Sequence, residues 1–329
     1  MLILWILIFI LSLAILVKSA DWFVESAEKI GLALKISPFI IGMTIVAIGT
    51  SFPELASSIA ATLKGATEIV AANTVGSNVA NILLIVGLSA VAARALIVRR
   101  SLIDLDAPLL GAATFLFIFV MWDKEIVFGE GILLIFGFLI YLLYTIFHRR
   151  EPEETPEAVE VLPSRVERRE IEAKIEKKPE KLNFRVFLFL ILGMAGLAVG
   201  ANYTIEAMLK ISDILKIATS LVAITALAIG TSLPELVVSI QAASKKKYEI
   251  ALGNIFGSNV FNILLVAGIP ALIRPLVVDE LTFGIGLPFL VVATLLFIIS
   301  GISRRIHIWE GAMYLLLYIL FIVKLCGLF

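Results

Sequence analysis

The chain has 329 residues, of which 60% are hydrophobic and only 16% are charged, and its mean hydropathy is +1.04. A chain this apolar cannot bury its hydrophobic side chains in a water-soluble core, so lipid must cover much of it. The 27 basic and 27 acidic residues cancel, which gives no reason to expect a nucleic-acid partner. The composition predicts an integral membrane protein.

Apolar segments long enough to cross a bilayer recur along the whole chain. A membrane-spanning helix needs roughly 20 mainly apolar residues, and ten segments meet this requirement. They lie near residues 2–20, 37–63, 69–93, 104–122, 126–147, 184–204, 217–243, 250–273, 281–301 and 308–327. The sequence therefore predicts an all-α membrane protein with ten transmembrane helices.

The two halves of the chain are copies of one another. A shift of 181 residues aligns Thr44–Leu88 with Thr225–Ile269, and 25 of these 45 positions are identical without a gap. Shared hydrophobicity does not produce identity at this level, so the halves are duplicates. Each copy holds five predicted spans, and an odd number requires the second copy to enter the membrane upside down. We therefore predict two inverted five-helix repeats, at 1–148 and 184–329.

The charges of the loops give an independent indication of this inversion. Lys and Arg prefer cytoplasmic loops, so equivalent loops of inverted copies should differ in basicity. The loop that contains Arg99 and Arg100 corresponds to the loop that contains Asp279 and Glu280. Assigning the more basic loops to the cytoplasm predicts that both termini lie outside. The absence of long extracellular loops favours the cell membrane as the location of this multi-pass protein.

A charged linker at 149–183 joins the two copies and would then be cytoplasmic. It alternates Glu with Arg and Lys, and it contains Pro152, Pro156, Pro163 and Pro179. Such a composition is typical of a solvated, partly helical or disordered tether. A regulatory role is the alternative, although about 35 residues are too few for a sizeable sensing domain.

Glu54 and Glu235 lie in the middle of predicted spans, where an ionisable side chain costs at least ~2.5 kcal/mol. Each follows a proline, and neither Pro53 nor Pro234 can donate a hydrogen bond to the carbonyl group four residues earlier. The helix must loosen there, and freed backbone oxygens at bilayer depth must face protein, water or an ion. One such break in each copy predicts a shared site near the middle of the membrane.

Hydroxyl and amide side chains accompany these glutamates at helical spacing. Thr50 and Ser51 precede Glu54 by four and three residues, so that their oxygens can converge with the carboxylate. On the next span Ser77 and Asn81 are four apart and share a face. The second copy repeats the pattern with Thr231, Ser232, Ser258 and Asn262. Four further residues could either bond helices together or bind an ion, namely Asn73, Asn78, Asn254 and Asn259.

The predicted ligand set contains carboxylate, amide, hydroxyl and carbonyl oxygens, without His or Cys. Hard cations prefer such ligands, and Ca²⁺ takes roughly 6–8 oxygens. Two carboxylates neutralise one Ca²⁺, which offsets the cost of burying either charge alone. Na⁺ is nearly the same size with half the charge, so competition for the same oxygens would couple the two ions without any catalytic group or cofactor.

The paired motifs resemble those of the sodium/calcium exchanger family of cation/calcium antiporters, in its prokaryotic form. They read Gly-Thr-Ser-Phe-Pro-Glu at 49–54 and Gly-Thr-Ser-Leu-Pro-Glu at 230–235, each followed by Gly-Ser-Asn. The resemblance covers nearly the whole chain outside the linker. It implies exchange of Ca²⁺ for Na⁺ by alternating access, in which the first and sixth spans slide across the remaining bundle.

The same resemblance implies which residues bind the ions. The implied side-chain ligands are Glu54, Thr50, Ser51, Ser77 and Asn81 from one half and Glu235, Thr231, Ser232, Ser258 and Asn262 from the other. The backbone carbonyls of Ala47 and Ala228 are implied as well. Some family members carry Asp where Asn262 stands, so this site should hold two carboxylates, which disfavours coupling to potassium.

Three other function classes compete with this interpretation. In a proton/calcium antiporter the buried glutamates would bind protons, although the Gly-Thr-Ser-x-Pro-Glu motif more closely resembles sodium-coupled relatives. A calcium channel could use carboxylates for selectivity, but its pore normally arises from oligomeric symmetry. An intramembrane enzyme is disfavoured because His148 and His307 lie at span ends. We expect the lipid bilayer, Ca²⁺ and Na⁺ as partners, with no obligate protein partner.

Overall fold

The computed structural model describes residues 2–34, 36–97, 107–147, 182–214 and 232–327. Its helices are α1 Leu2–Ala33, α2 Pro38–Leu63, α3 Glu68–Ala93, α4 Ala107–Val120, α5 Phe128–Phe147, α6 Phe184–Ile214, α7 Leu233–Ser244, α8 Tyr248–Ala271, α9 Thr282–Ile302 and α10 Ile308–Leu325. Its strands are β1 Ala95–Ile97, β2 Glu125–Ile126, β3 Leu276–Val277 and β4 Arg305–His307. The described part of the chain is therefore mostly helical, as predicted.

Eight of these helices are long and apolar enough to cross a membrane. The other two, α4 and α7, have 14 and 12 residues, and each directly follows a stretch outside the described residues, 98–106 and 215–231 respectively. The predicted spans 104–122 and 217–243 are thus only partly described, and nearly all of the linker 149–183 lies outside the described residues. A helical multi-pass membrane protein is confirmed, and the count of ten spans stays a prediction.

Two helices differ in length from the prediction. α1 reaches Ala33 and α6 reaches Ile214, whereas hydropathy alone predicted ends near residues 20 and 204. The extension of α1 carries charged residues on one side and buries Phe23, Val24 and Ala27 on the other. A helix that packs on protein can continue beyond the apolar run, so hydropathy underestimates its length.

Local sequence explains where several helices begin. The side chain of Ser37 accepts a hydrogen bond from the Ile40 N–H at 3.4 Å, and Pro38 occupies the first turn of α2, where its missing N–H costs nothing. At the start of α10, the N–H of His307 donates to Glu310 at 2.7 Å within a capping box. These caps satisfy backbone groups that the helices leave unpaired.

Four helices widen into π-helical turns, at Gly42–Val46, Ala80–Val86, Asn262–Val266 and Thr282–Gly286. Helix α2 continues through Pro53, and the helix widens about two to three turns before this proline, where we had predicted the loosening. In α7 the proline occupies the first turn instead. Because π-turns are rare and concentrate at functional sites, they direct attention to the middle of α2, α3 and α8.

Helices α3 and α8 form the centre of the bundle. In a strongly apolar 18-residue stretch of each helix, 94% of the residues are buried in α8 and 72% in α3, whereas the shares in α1, α6 and α10 are 17%, 22% and 22%. The outer helices instead expose large aliphatic side chains such as Ile3, Leu7 and Ile191, which suits a lipid-facing surface. The polar side chains of α3 and α8 are therefore enclosed by the other helices.

Helices α1 and α6 pack along much of their length through glycines. A Cβ atom on Gly193 would lie 2.9 Å from the Ser19 carbonyl oxygen, and one on Gly200 would lie 3.2 Å from the Ser12 carbonyl oxygen. Only glycine permits these helix backbones to approach so closely. The two contacts are equivalent in the two halves of the chain. The 181-residue shift takes Ser12 to Gly193 and Ser19 to Gly200, so the Gly193–Ser19 contact corresponds to the Ser12–Gly200 contact.

The short strands form two antiparallel pairs, which an all-α prediction did not include. In one pair Leu96 of β1 faces Ile306 of β4, and in the other Glu125 of β2 faces Val277 of β3. The 181-residue shift takes Leu96 to Val277 and Glu125 to Ile306, so the two strand pairs are equivalent. The strands are loop segments at helix ends, and pairing satisfies their backbone groups where no helix can.

An ionic cluster ties α1 to the turn between α7 and α8. Lys245 Nζ lies 2.6 Å from Asp21 and 3.2 Å from Glu25, and Lys247 Nζ lies 2.5 Å from Glu28. Burial alone would lower the pKa of Lys245, but its hydrogen bonds and charge attraction to Asp21 and Glu25 outweigh burial and raise this pKa above 10.5. The cluster therefore favours the protonated lysine in the folded protein.

We expect Lys245→Gln to lower the thermal unfolding midpoint slightly, because partly exposed ion pairs contribute about 0.2–1 kcal/mol each. A raised pKa stabilises the fold fully below the ordinary lysine value and ceases to do so as pH rises through the raised value. The variant's midpoint should therefore differ most from the native midpoint at neutral pH, and this difference should shrink above pH 10.5. Lys246→Gln is the matched control, since Lys246 forms no ion pair with a described residue; an equal effect of both variants would contradict the prediction.

Candidate ion-binding site

Ten of the twelve predicted site residues lie within the described ranges, and all ten are at most 2% exposed. They are Ala47, Thr50, Ser51 and Glu54 on α2, Ser77 and Asn81 on α3, Ser232 and Glu235 at the start of α7, and Ser258 and Asn262 on α8. The remaining two, Thr231 and Ala228, lie outside the described residues. The described candidates therefore belong to the interior of the bundle.

Direct contacts join the two halves at this position. Ser51 Oγ donates to Glu235 Oε1 at 2.8 Å, which connects α2 of the first half to α7 of the second. Thr50 Oγ1 lies 3.2 Å from Asn254 Oδ1 on α8. Glu54 and Glu235 also interact electrostatically with each other. These contacts bring residues of the two motifs together, although 181 residues separate the motifs in sequence.

Many polar atoms at this position make no hydrogen bond with the described residues. They are both carboxylate oxygens of Glu54, Oε2 of Glu235, the hydroxyl of Ser232 and both amide atoms of Asn81 and of Asn262. Burying one such group without a partner costs about 1–3 kcal/mol, and more for a charged group. A cluster of buried unpaired oxygens therefore calls for a ligand, and the available donors are those that hard cations take.

The charges of the site suit a cation. Within the described ranges no Lys or Arg forms an ion pair with either buried glutamate, and every ion pair there involves other residues. Among the described residues, no three or more His, Cys, Asp or Glu side chains are arranged so that they could hold a metal ion by themselves. Two carboxylates among neutral oxygens can balance one divalent ion or two monovalent ions, and nothing in this set favours a soft metal.

Close packing of α2 on α8 brings the ligands within reach of each other. A Cβ atom on Gly257 would meet the carbonyl oxygen of Met43 and would lie 2.6 Å from Cβ of Ala47. A side chain at Gly253 would likewise collide with the carbonyl oxygen of Phe39. Because both positions are glycine, α2 can lie directly against the polar face of α8.

The four asparagines whose roles were open in sequence can now be separated in part. Asn78 and Asn259 donate to carbonyl groups of their own helices, at Thr74 and Ile255, each at 2.8 Å. Asn254 instead donates to Ser239 Oγ at 2.9 Å and contacts Thr50. Sequence reasoning missed Ser239 altogether. Its one sequence signal was that the 181-residue shift aligns it with an identical residue, Ser58.

Comparison with known proteins gives an independent result. The sequence model of the family described as sodium/calcium exchanger protein matches residues 4–147 and 185–327. The matched segments correspond to the two halves that the sequence shift identifies, and together they cover most of the chain.

Individual relatives match over nearly the full length. The sodium/calcium exchanger MaX1 of Methanosarcina acetivorans is 33% identical over 97% of both chains. The inner membrane protein YrbG of Escherichia coli is 33% identical over 84% of this chain and 82% of its own. A structure of the sodium-calcium exchanger NCX_Mj soaked with Na⁺ and Ca²⁺ matches with a TM-score of 0.79 and 30% identity, over 98% of this chain and 99% of that one.

Proposed function

The chain belongs to the sodium/calcium exchanger family, and from this premise we propose that it exchanges Ca²⁺ for Na⁺ across the cell membrane. Members of this family are transporters and not enzymes. The observation that carries the proposal is the meeting of Glu54 and Glu235, one from each half, with Ser51 of the first half bonded to Glu235 and buried unpaired oxygens around them.

We assign the ligands of the transported ions to twelve residues. They are Glu54, Glu235, Thr50, Thr231, Ser51, Ser232, Ser77, Ser258, Asn81, Asn262 and the backbone carbonyls of Ala47 and Ala228. Burial and the absence of basic partners among the described residues support this assignment. No resident cofactor is required, because the ions themselves are the substrates and supply the positive charge that the site needs.

Coupling follows from charge and competition. One Ca²⁺ neutralises both carboxylates, whereas Na⁺ has half the charge and more than one must bind to balance them. Since both ions use the same oxygens, they exclude each other. The negative charge of the two carboxylates is fully neutralised only when the site holds either Ca²⁺ or its full number of Na⁺ ions. A site left with two unbalanced buried charges is costly to move through the membrane interior, so net transport proceeds by exchange.

We propose ten spans in two inverted repeats, 1–148 and 184–329, joined by the cytoplasmic linker 149–183. If α4 crosses the membrane, β1 and β2 lie on opposite faces, because they flank this helix. The pairing of β1 with β4 and of β2 with β3 then puts equivalent strands on opposite faces. A pseudo-two-fold axis in the membrane plane has this effect, and it suits a midplane site and alternating access.

The moving part in this proposal is the pair α1 and α6. These helices bury a smaller share of their residues than the central ones, which favours their movement relative to the bundle. The glycines of α6 pack directly on α1, so the two helices can move as one unit. The ionic cluster of Lys245 and Lys247 holds one end of α1. With the termini outside, this end is cytoplasmic.

A proton/calcium antiporter is the second candidate. It is favoured by one observation, namely that two buried carboxylates without a basic partner among the described residues can each bind a proton. The ligand set argues for sodium, since the neutral oxygens from Thr50, Ser51 and the amides provide a coordination shell that a bound proton does not need.

The test is ⁴⁵Ca²⁺ uptake into proteoliposomes that contain the purified protein, with an outward Na⁺ gradient and the pH clamped on both sides. We expect uptake that requires the Na⁺ gradient and does not occur with choline in its place. Uptake driven by a proton gradient but not by Na⁺ would establish the proton antiporter instead. Electrical current carried by Ca²⁺ without any counter-ion would indicate a channel.

A further inference from the structure

We infer that Asn254 is a positioning residue that directs the hydroxyl groups of Thr50 and Ser258 towards the ion. This inference rests on the proposed exchange function and deepens it, since Asn254 is itself outside the proposed ligand set. The side chain of Asn254 is fully buried on α8, and its amide contacts residues of α2, α7 and α8.

The surroundings of the amide fix its orientation. Its Nδ2 donates to Ser239 Oγ at 2.9 Å and lies 3.5 Å from the backbone carbonyl oxygen of Glu235. A backbone carbonyl only accepts hydrogen bonds, so the amide nitrogen must face this side. The oxygen Oδ1 is thereby turned to the opposite side, towards Thr50 Oγ1 at 3.2 Å and Ser258 Oγ at 3.5 Å.

This orientation decides where the two hydroxyl hydrogens go. A hydroxyl group has one hydrogen and two lone pairs, and it binds a cation through a lone pair with the hydrogen pointing elsewhere. Because Oδ1 of Asn254 accepts from both hydroxyls, the lone pairs of Thr50 and Ser258 stay available to an ion. The amide thus presets two neutral ligands before the ion arrives.

The same contact affects a third ligand. Thr50 Oγ1 also lies 3.2 Å from the carbonyl oxygen of Ala47, and its single hydrogen can satisfy only one of these two acceptors well. When the hydrogen goes to Asn254, the carbonyl oxygen of Ala47 is left for the ion. Without Asn254, Thr50 would donate to Ala47, which turns the hydroxyl lone pairs in a new direction and occupies one of the two lone pairs of this carbonyl oxygen, so both ligands would bind the ion less well.

The test is a double-mutant cycle on equilibrium ⁴⁵Ca²⁺ binding to the purified protein in detergent, with Na⁺ as competitor. Loss of a residue that orients a metal ligand typically lowers affinity about 10–100-fold, and we expect this from Asn254→Ala. Thr50→Val should also weaken binding. Since Asn254 acts through both Thr50 and Ser258, the loss of affinity in the double variant should be clearly smaller than the two single losses combined, because coupled residues are not additive.

The matched control is Asn259→Ala. Asn259 is the same residue type on the same helix, is equally buried, and donates to its own helix at Ile255. We expect Asn259→Ala to bind Ca²⁺ with nearly native affinity. Any small loss that it causes should simply add to the loss caused by Thr50→Val. Additive losses in the cycle of Asn254→Ala with Thr50→Val would overturn the inference, since they would mean a direct ligand or a general packing role.

A second variant keeps the test decisive if Asn254→Ala does not fold, as judged by its thermal unfolding midpoint. Ser239→Ala retains the amide but removes the hydroxyl that holds its nitrogen, so a smaller loss of affinity is expected, and this loss should shrink in the Thr50→Val background, where only Ser258 is left to position. An undiminished loss in that background would contradict the inference. Failure of the native protein to bind ⁴⁵Ca²⁺ that Na⁺ displaces would instead refute the proposed function.

Discussion

Exchange should be lost when either buried glutamate is neutralised. Glu54→Gln and Glu235→Gln each remove one of only two negative charges that balance Ca²⁺, and removing one partner of a buried charge pair costs about 3–5 kcal/mol. At 1.4 kcal/mol for each tenfold change, we expect ⁴⁵Ca²⁺ uptake in proteoliposomes to fall by about 100-fold or more.

The same variants should fold normally. In ion-free buffer the two buried carboxylates repel each other and lack basic partners among the described residues, so replacing one by a neutral amide removes an unfavourable charge. We expect thermal midpoints at or above the native value. Glu280→Gln is the control, because the side chain of Glu280 is 84% exposed and its loss should leave uptake unchanged. Normal exchange in purified Glu54→Gln or Glu235→Gln would show that the charge pair is not the transport site.

Gly257→Ala should also inactivate the protein. Its new Cβ atom would meet the Met43 carbonyl oxygen and lie 2.6 Å from Cβ of Ala47, so α2 must move away from α8 beside the proposed ligands Ala47 and Ser258. A functional site tolerates displacements of only about 0.5 Å. We expect a large loss of ⁴⁵Ca²⁺ uptake together with a lower thermal midpoint.

Gly284→Ala provides the comparison for this prediction. Gly284 lies in the π-helical turn of α9, and a Cβ atom there would meet nothing within 4 Å. Its uptake and midpoint should stay close to the native values. If Gly257→Ala behaved like Gly284→Ala, α2 and α8 would not need the close contact that the structure assigns to them.

The duplicated motifs were the strongest signal in the sequence, and they pointed to the family and to the proposed site. Glu54 and Glu235 were recognisable because a charged residue in an apolar span is costly and because they occupy equivalent positions in the two halves. Hydropathy identified the membrane-spanning helices for the same physical reason that lipid selects them. These signals are local in sequence or repeat at a fixed distance, so no tertiary information was needed.

Tertiary contacts account for what the sequence could not predict. Asn254 and Asn259 have the same residue type and the same burial, yet one bonds across helices and the other within its own helix. Only the packing of α2 and α7 on α8 distinguishes them. The strand pairs were missed because two- and three-residue strands have no periodicity, and the π-helical turns were missed because no residue pattern specifies where a helix widens.

The central claim is that carboxylates from the two halves hold one Ca²⁺ between them. Crystals grown with Ca²⁺ and without Na⁺ would test this most directly, through the anomalous scattering of the bound ion. We expect one strong peak between the carboxylates of Glu54 and Glu235 that disappears when Na⁺ replaces Ca²⁺. A peak remote from both residues, or two glutamates turned towards separate aqueous openings, would contradict the account.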